Sequence, residues 1–284
     1  MRFHSEILGL PKAPEHLLAE LVHSRTGIYF DASKIDLLMD KLSPLVVRRG
    51  FNTFLDYYYL LKYDETAPAE WVNVMNAISV GETYFWREFD QIRALTQSIV
   101  PAWLAAHPGK TLRIWSAACA SGEEPLTIAL ALHEAGWFDR ASIEIRGSDG
   151  SSLAIEKAVA GVYRERSFRS LSPERQARYF EQEGPKTWRV LPELQSKVRF
   201  SVANLVNEAE IAPLATADII FCRNVFIYFS ESSISRTVRL FARHMPAEGY
   251  LFVGTAESLL RLTSDFELKD IDNAFIYEKE SRVQ

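Results

Sequence analysis

One stretch constrains this chain more than any other: Ile114-Trp-Ser-Ala-Ala-Cys-Ala-Ser-Gly-Glu-Glu-Pro125. Apolar Leu112 and Ile114 read as a β-strand. Small residues follow, ending at Gly122, and Glu123 and Glu124 then open an apolar helix carrying Leu126, Ile128, Ala129, Leu130 and Leu132. Strand, tight turn and helix in that order form the corner at which an α/β sheet holds a nucleotide-like cofactor. Most of the glycines that cradle a pyrophosphate are missing, and two carboxylates stand where a phosphate would be repelled. A cofactor without phosphate but with a cationic end suits this corner. S-adenosylmethionine (SAM), with a nucleoside, an ammonium and a sulfonium, has that chemistry. The plainer reading is a tight turn whose helix start is acidic because the macrodipole favours it.

The pattern on either side of the corner differs. Upstream, helical spacing predicts helices over residues 14–23, 32–46, 52–61 and 68–78, with Pro44 expected to kink or end the second. Downstream, short β-like runs near 112–115, 143–147, 198–202, 217–222, 249–253 and 274–278 alternate with helical stretches near 124–134, 153–160 and 231–244. That rhythm predicts a doubly wound, mostly parallel sheet. Residues 170–197 fit it poorly, and with a Gly-Pro turn at 184–185 they read as a small inserted β-subdomain. The expected organisation is a helical domain over 1–80, a linker helix over 81–95, and an α/β domain over 96–284.

The net charge of −5 disfavours generic nucleic-acid binding. Two cysteines, Cys119 and Cys222, make neither a disulfide framework nor a zinc set. Residues 1–10 lack an apolar leader, and no window reaches membrane-spanning length. A cytoplasmic protein without a metal centre, not inserted in a membrane, is expected.

Three further segments fall at expected strand ends. In Ile145-Arg-Gly-Ser-Asp149 the acid is placed to accept both ribose hydroxyls, or else to cap the next helix, a task open also to Ser151 or Ser152. Asn204, after the run at 198–202, could pair with an adenine edge or simply be a turn residue. In Phe221-Cys-Arg-Asn-Val-Phe-Ile-Tyr-Phe229, Arg223 brings a charge to the sheet opening, Asn224 a bifunctional amide and Tyr228 a hydroxyl. Tyr228 is alternatively ordinary packing, whereas a buried Arg223 requires a partner. Before the sheet, Gly81-Glu-Thr-Tyr-Phe-Trp-Arg-Glu88 reads equally as a lid over a ligand or as a hydrophobic hinge with Arg87 paired to Glu82 or Glu88.

In their order, these segments resemble the CheR family, the chemotaxis-receptor glutamate methyltransferases, over about residues 10–280. The resemblance rests on Gly-Glu-Thr-Tyr-Phe-Trp-Arg, Trp-Ser-Ala-Ala-Cys-Ala-Ser-Gly-Glu-Glu-Pro, Ser-Asp149, Gly161-Val-Tyr-Arg164, Asn204-Leu205 and Phe-Cys-Arg-Asn-Val-Phe-Ile-Tyr-Phe. It implies a Rossmann-like SAM-dependent methyltransferase with an N-terminal helical domain and an inserted β-subdomain. It implies cofactor contacts from Gly81, Thr83 and Arg87, from Ala118, from Glu124 or alternatively Glu123 at the methionine end, from Asp149 at the ribose, from Asn204 and Leu205 beside adenine, and from Arg223 and Asn224. Arg87, Arg223 and Tyr228 are the implied catalytic residues. The implied partner is the cytoplasmic helical region of chemoreceptors, with a receptor C-terminal peptide a candidate for the β-subdomain, and the enzyme is expected to act as a monomer.

The chain departs from the family pattern at several positions. Gly81 stands where asparagine is usual, Trp86 for phenylalanine, Gly150 for an apolar residue, and Gly254-Thr-Ala-Glu257 for Gly-His-Ser-Glu. Lys34, Lys41 and Arg48 form a basic stripe only if Pro44 leaves their helix unbroken. The expected reaction is methyl transfer to a glutamate carboxylate, giving a methyl ester and S-adenosylhomocysteine. A glutamate with a pKa of roughly 4.3 is already ionised, so no general base is required. Consistently, none of the six histidines falls in a motif. Two other readings stay open: a SAM-binding regulatory module without catalysis, and a methyltransferase for another acceptor.

Overall fold

The structure, a computed structural model, describes residues 13–280, so the expectation for residues 1–10 lies outside the described residues. Contacts divide the chain into two units, one of residues 1–79 with Tyr228–Ser230, the other of Val80–Ile227 with residues 231–284.

The first unit contains four helices: α1 (Pro14–Thr26), α2 (Ile35–Arg48), α3 (Phe54–Tyr63) and α4 (Ala67–Ile78). Their apolar faces enclose Leu18, Val22, Leu38, Leu42, Leu61, Val74 and Ile78. Pro44, expected to kink or end α2, lies inside it and does not end it. The carbonyl it deprives of an intrahelical donor is that of Asp40, an exposed residue. The unbroken helix does not make a clean basic stripe, because Lys41 donates to the carbonyl of Ala77 and Lys34 pairs with Asp31. One charge is fully buried. Glu70 accepts from Tyr57 Oη at 2.7 Å, Arg49 Nε at 2.8 Å and Asn73 Nδ2 at 3.1 Å.

The second unit begins with α5 (Phe89–Ala94) and α6 (Val100–Ala106), joined by a π-turn. Then follow β1 (Leu112–Ala117), α7 (Glu123–Glu134), β2 (Ile143–Asp149) and α8 (Ser152–Ala160). A subdomain holds β3 (Val162–Arg164), α9 (Pro173–Tyr179), β4 (Phe180–Gly184), β5 (Thr187–Val190) and α10 (Pro192–Gln195). The chain ends with β6 (Val198–Val202), α11 (Glu208–Ile211), β7 (Ile219–Phe221), α12 (Glu231–His244), β8 (Tyr250–Phe252), β9 (Phe266–Ile271) and β10 (Ala274–Lys279). Among the described residues no helix is long and apolar enough to cross a membrane.

The main sheet has the order β6-β2-β1-β7-β8-β10-β9. β6, β2, β1, β7 and β8 are parallel, and β10 is antiparallel to both its neighbours. The sheet is therefore doubly wound and mostly parallel as expected, closed by an antiparallel hairpin in which β9 is a strand the sequence reading lacked. Successive crossovers place β2 and β6 on one side of β1 and β7 and β8 on the other. The crevice of such a sheet opens at that reversal, outside the carboxyl ends of the strands. The smaller sheet, β3-β5-β4, takes its first strand from ahead of the expected insertion at 170–197.

Replacing Glu70 by alanine strands the wholly buried Tyr57 hydroxyl and leaves Arg49 without its carboxylate. The expected cost is about 2–4 kcal/mol, read from urea unfolding of the whole chain; a loss below about 0.5 kcal/mol contradicts it.

Candidate active site

Five chain segments leave the carboxyl ends of β1, β2, β6, β7 and β8 and carry most of the expected site residues. The turn after β1 is tightly specified. Ala118, Ala120 and Gly122 have φ of +55°, +48° and +91°, so two alanines adopt a backbone that ordinarily selects glycine. Hydrogen bonds hold the turn: Cys119 N–H to the Ser148 carbonyl at 2.8 Å and Gly122 N–H to the Cys119 carbonyl at 3.0 Å. At Gly122 a side chain is excluded outright, since a Cβ would lie 2.9 Å from Ala158 Cβ and 3.1 Å from the Phe200 ring.

Asp149, at the tip of β2, accepts from the backbone N–H of Ala120 at 2.9 Å through one oxygen and of Ser151 at 2.8 Å through the other. Burial raises its pKa, and those two N–H groups oppose the rise. It does not cap α8, because Ser151 does so through the N–H of Ala154. Each carboxylate oxygen has further acceptor capacity, which suits a vicinal diol.

The two glutamates that open α7 face different surroundings. Glu123 is 2% exposed and accepts from Ser121 Oγ at 2.7 Å and Ser167 Oγ at 2.9 Å. Burial raises its pKa. It clasps the turn to the subdomain side, where Ser167 also receives the N–H of Phe85 on its carbonyl. Glu124 accepts from Ser116 Oγ at 2.6 Å and Arg223 Nε at 2.7 Å, and its side chain keeps 12% exposure. Of the pair, Glu124 is the one with an open face.

Arg223 finds the partner that burial requires. Its side chain is 2% exposed, and besides Glu124 its Nη1 donates to the carbonyl of Arg87 and to Gln91 Oε1, each at 3.1 Å. Its Nη1 holds the linker in place, and no described residue accepts from Nη2. Arg87 is less committed: it reaches the Glu82 carbonyl at 3.3 Å and Glu88 at 3.9 Å, and lies over the Tyr84 ring. The flanking residues Trp86 and Glu88 have φ of +67° and +51°, so two left-handed residues aim the arginine between them. The aromatic triplet divides its work. Phe85 is buried among Tyr163, Phe168 and Phe180, Trp86 stacks on Phe89 beneath Arg175, and Tyr84 lies under Arg169.

Asn204 has half its amide in a local turn, its Oδ1 accepting from the N–H of Val206 at 3.3 Å, and Leu205 is buried. Thr83 is half-buried, and its hydroxyl has no hydrogen-bond partner among the described residues. At Gly81 an added Cβ meets nothing within 4 Å, so the residue usual in the family would find room there. Thr255 gives its backbone N–H to Glu88 at 3.2 Å, a contact independent of its side chain. Tyr228 ends a short helical turn (Phe226–Tyr228), and its carbonyl accepts from Tyr29 N–H within the helical unit.

Four participants escaped the sequence reading: Ser116, Ser121, Ser167 and Gln91. Serines and glutamines carry no spacing signal, and only the folded contacts reveal them. Glu88 appeared only as a possible partner for Arg87, and Glu257 only as the end of a divergent motif.

Family models match both parts of the chain: "CheR methyltransferase, SAM binding domain" over residues 81–275 and "CheR methyltransferase, all-alpha domain" over residues 16–79. The chain is 33% identical to chemotaxis protein methyltransferase 2 of Vibrio cholerae over 259 residues, covering 90% of this chain and 89% of that protein. It is 33% identical to chemotaxis protein methyltransferase 1 of Pseudomonas aeruginosa over 280 residues, covering 95% and 99%. Among solved structures, magnesium protoporphyrin IX methyltransferase of Synechocystis PCC 6803 with bound SAM covers 78% of this chain and 91% of its own, at a TM-score of 0.33 and 15% identity.

SAM is the cofactor, and the described acceptors suit it, with carboxylates available for an ammonium and a vicinal diol. Glu124→Gln keeps the shape but removes the charge, and is expected to weaken S-adenosylhomocysteine binding about tenfold by calorimetry. Equal affinities for Glu124→Gln and wild type sink the assignment of Glu124. Glu123 makes a separate prediction. The unfolded chain titrates a glutamate near roughly 4.3, below the raised value in the fold. Its contribution to stability is therefore full below that ordinary value and is lost as pH rises through the raised one. Glu123→Gln should thus gain stability on wild type as pH rises above the ordinary glutamate value, and a pH-independent difference in melting temperature rules this out.

Proposed function

The chain belongs to the CheR family of SAM-dependent chemotaxis methyltransferases, and from that premise we propose that it esterifies glutamate side chains on the cytoplasmic helical region of a chemoreceptor. The observation that carries the proposal is the pairing of Glu124 with Arg223 beside Asp149 at the reversal of the sheet. It supplies acceptors for a cationic cofactor while leaving no uncompensated buried cation to trap an incoming carboxylate.

Bound SAM supplies the electrophilic methyl group. The protein's share is binding, orientation and exclusion of water. Asp149 takes the ribose hydroxyls, Glu124 the ammonium, and Asn204 and Leu205 the adenine side. Arg87, with long contacts to Glu82 and Glu88, is the cation with donors to spare for a carboxylate. Arg223 acts chiefly by fixing the linker that presents Arg87, with Nη2 left to face a ligand. Tyr228 gives the acceptor a hydroxyl, a modest contact that orients a carboxylate without deactivating it.

The similarity to proteins named chemotaxis protein methyltransferase supports an active enzyme over a regulatory module. We place the tether for a receptor C-terminal peptide on the three-stranded sheet, where the outer edges of β3 and β4 have no strand partner among the described residues. The site of action that follows is the cytoplasm.

Receptor-containing membranes incubated with labelled SAM should yield base-labile methanol, the signature of a carboxyl ester. Tyr228→Phe should lower that yield at least about tenfold with S-adenosylhomocysteine affinity unchanged. Near-normal methylation by Tyr228→Phe removes its role, and base-stable label points to a different acceptor.

A further inference from the structure

Asn224, next to Arg223 in the segment that follows β7, has a conformation that needs outside support. Its φ is +59°, a left-handed backbone that asparagine tolerates better than most residues. Two carboxylates grip it. Glu88 accepts from Asn224 Nδ2 at 3.2 Å, and Glu257 accepts from the Asn224 backbone N–H at 2.8 Å. The Glu257 carboxylate also receives the N–H of Gly254 at 2.6 Å and of Ile227 at 3.3 Å. One half-buried side chain thus gathers three backbone donors from the loops that follow β7 and β8.

The local sequence makes this close approach possible. At Gly254 an added Cβ would stand 2.5 Å from Asn224 Nδ2 and 2.9 Å from both Asn224 N and Glu257 Oε2. Glu257 in turn donates its own N–H to the Gly254 carbonyl at 2.8 Å, closing the loop on itself. Charge-assisted bonds to backbone N–H groups are among the stronger ones, and a carboxylate can take several at once. With Nδ2 turned to Glu88, the Asn224 amide oxygen accepts from no described residue.

We propose that Glu257 is a positioning residue for the cofactor site: it fixes the left-handed turn at Asn224 so that the free amide oxygen faces the bound cofactor. The proposal rests on the reading that Asn224 contacts the cofactor. It also gives the divergent Gly254-Thr-Ala-Glu257 segment a function that survives its departures, since Gly254 and Glu257 provide the geometry and Thr255 adds only backbone.

The test is calorimetric binding of S-adenosylhomocysteine to the full chain, with melting temperatures measured alongside. Asn224→Gly keeps the left-handed backbone and deletes the amide. It should weaken binding about tenfold, as loss of one hydrogen bond to a charged group does. Glu257→Ala should weaken binding about as much, and Glu257→Gln, which keeps one acceptor oxygen for Asn224 and Gly254, by threefold or less. Glu257→Ala added to Asn224→Gly should cost less than a further twofold, because both act through the same group. Unchanged affinity in Glu257→Ala overturns the proposal, as does a full additional loss in the double variant. If Glu257→Ala does not fold, Glu257→Gln carries the test with Glu257→Asp, whose shorter reach should lose at least fivefold; parity of Glu257→Asp with wild type overturns the proposal. Unchanged affinity in Asn224→Gly alone overturns the underlying reading of Asn224, and the proposal with it.

Discussion

The pairing of Arg223 with Glu124 is the interaction on which the site depends. Two charges taken out of water recover their desolvation only if the geometry is good and the remaining donors are used. Here the guanidinium meets Glu124 at 2.7 Å and spends further donors on the linker's carbonyl at Arg87 and on Gln91. Such a pair is poor evidence of added stability, and its value lies in uniqueness of arrangement. It ties the segment after β7, the start of α7 and the linker before α5 into one geometry. Any shift of one element leaves a buried charge without its partner.

That constraint explains why strain is tolerated nearby. Trp86, Glu88, Ala118, Ala120 and Asn224 all have positive φ without being glycine. Each such residue costs of order 1 kcal/mol and persists only where its surroundings over-determine it. The surroundings are identifiable. Asp149 holds Ala120, Thr127 Oγ1 accepts from Trp86 N–H, and the carboxylates of Glu88 and Glu257 hold Asn224. Hydrogen bonds to carboxylates and to one hydroxyl thus hold backbone conformations at Ala120, Trp86 and Asn224.

The parallel sheet and its switch point were legible because period and punctuation agree: apolar runs of strand length, then small residues or Asp and Asn, then helical spacing. Asp149 and Arg223 were legible because a charge ending an apolar strand demands an explanation. Strand β9 was not, since Phe266–Ile271 alternates with polar residues at the sheet's edge and lacks a buried strand's continuous apolar run. A signal did exist in Asp272-Asn273, a two-residue turn with φ of +53° and +63° that favours a hairpin. The left-handed alanines of the β1 turn had no signal, because alanine carries none for that conformation. Nor did Pro44 betray that it would remain inside α2, a matter decided by which face of the helix met water.

Acidity at this site therefore has two distinct sources, which composition alone could not separate. Glu123 is enclosed by serine hydroxyls with its pKa raised by burial, and it serves the packing of the turn against the subdomain. Glu124 is charge-balanced by Arg223 and keeps an open face. A site made only of enclosed acids would tend to protonate and lose its attraction for a cationic cofactor. A site made only of unpaired acids would repel the carboxylate of the proposed acceptor. Pairing Glu124 with a buried arginine and enclosing Glu123 among serine hydroxyls separates two tasks, ligand contact for the first and packing of the turn for the second. For the proposed glutamate acceptor, already ionised, the residues around it have only to align, shield and release.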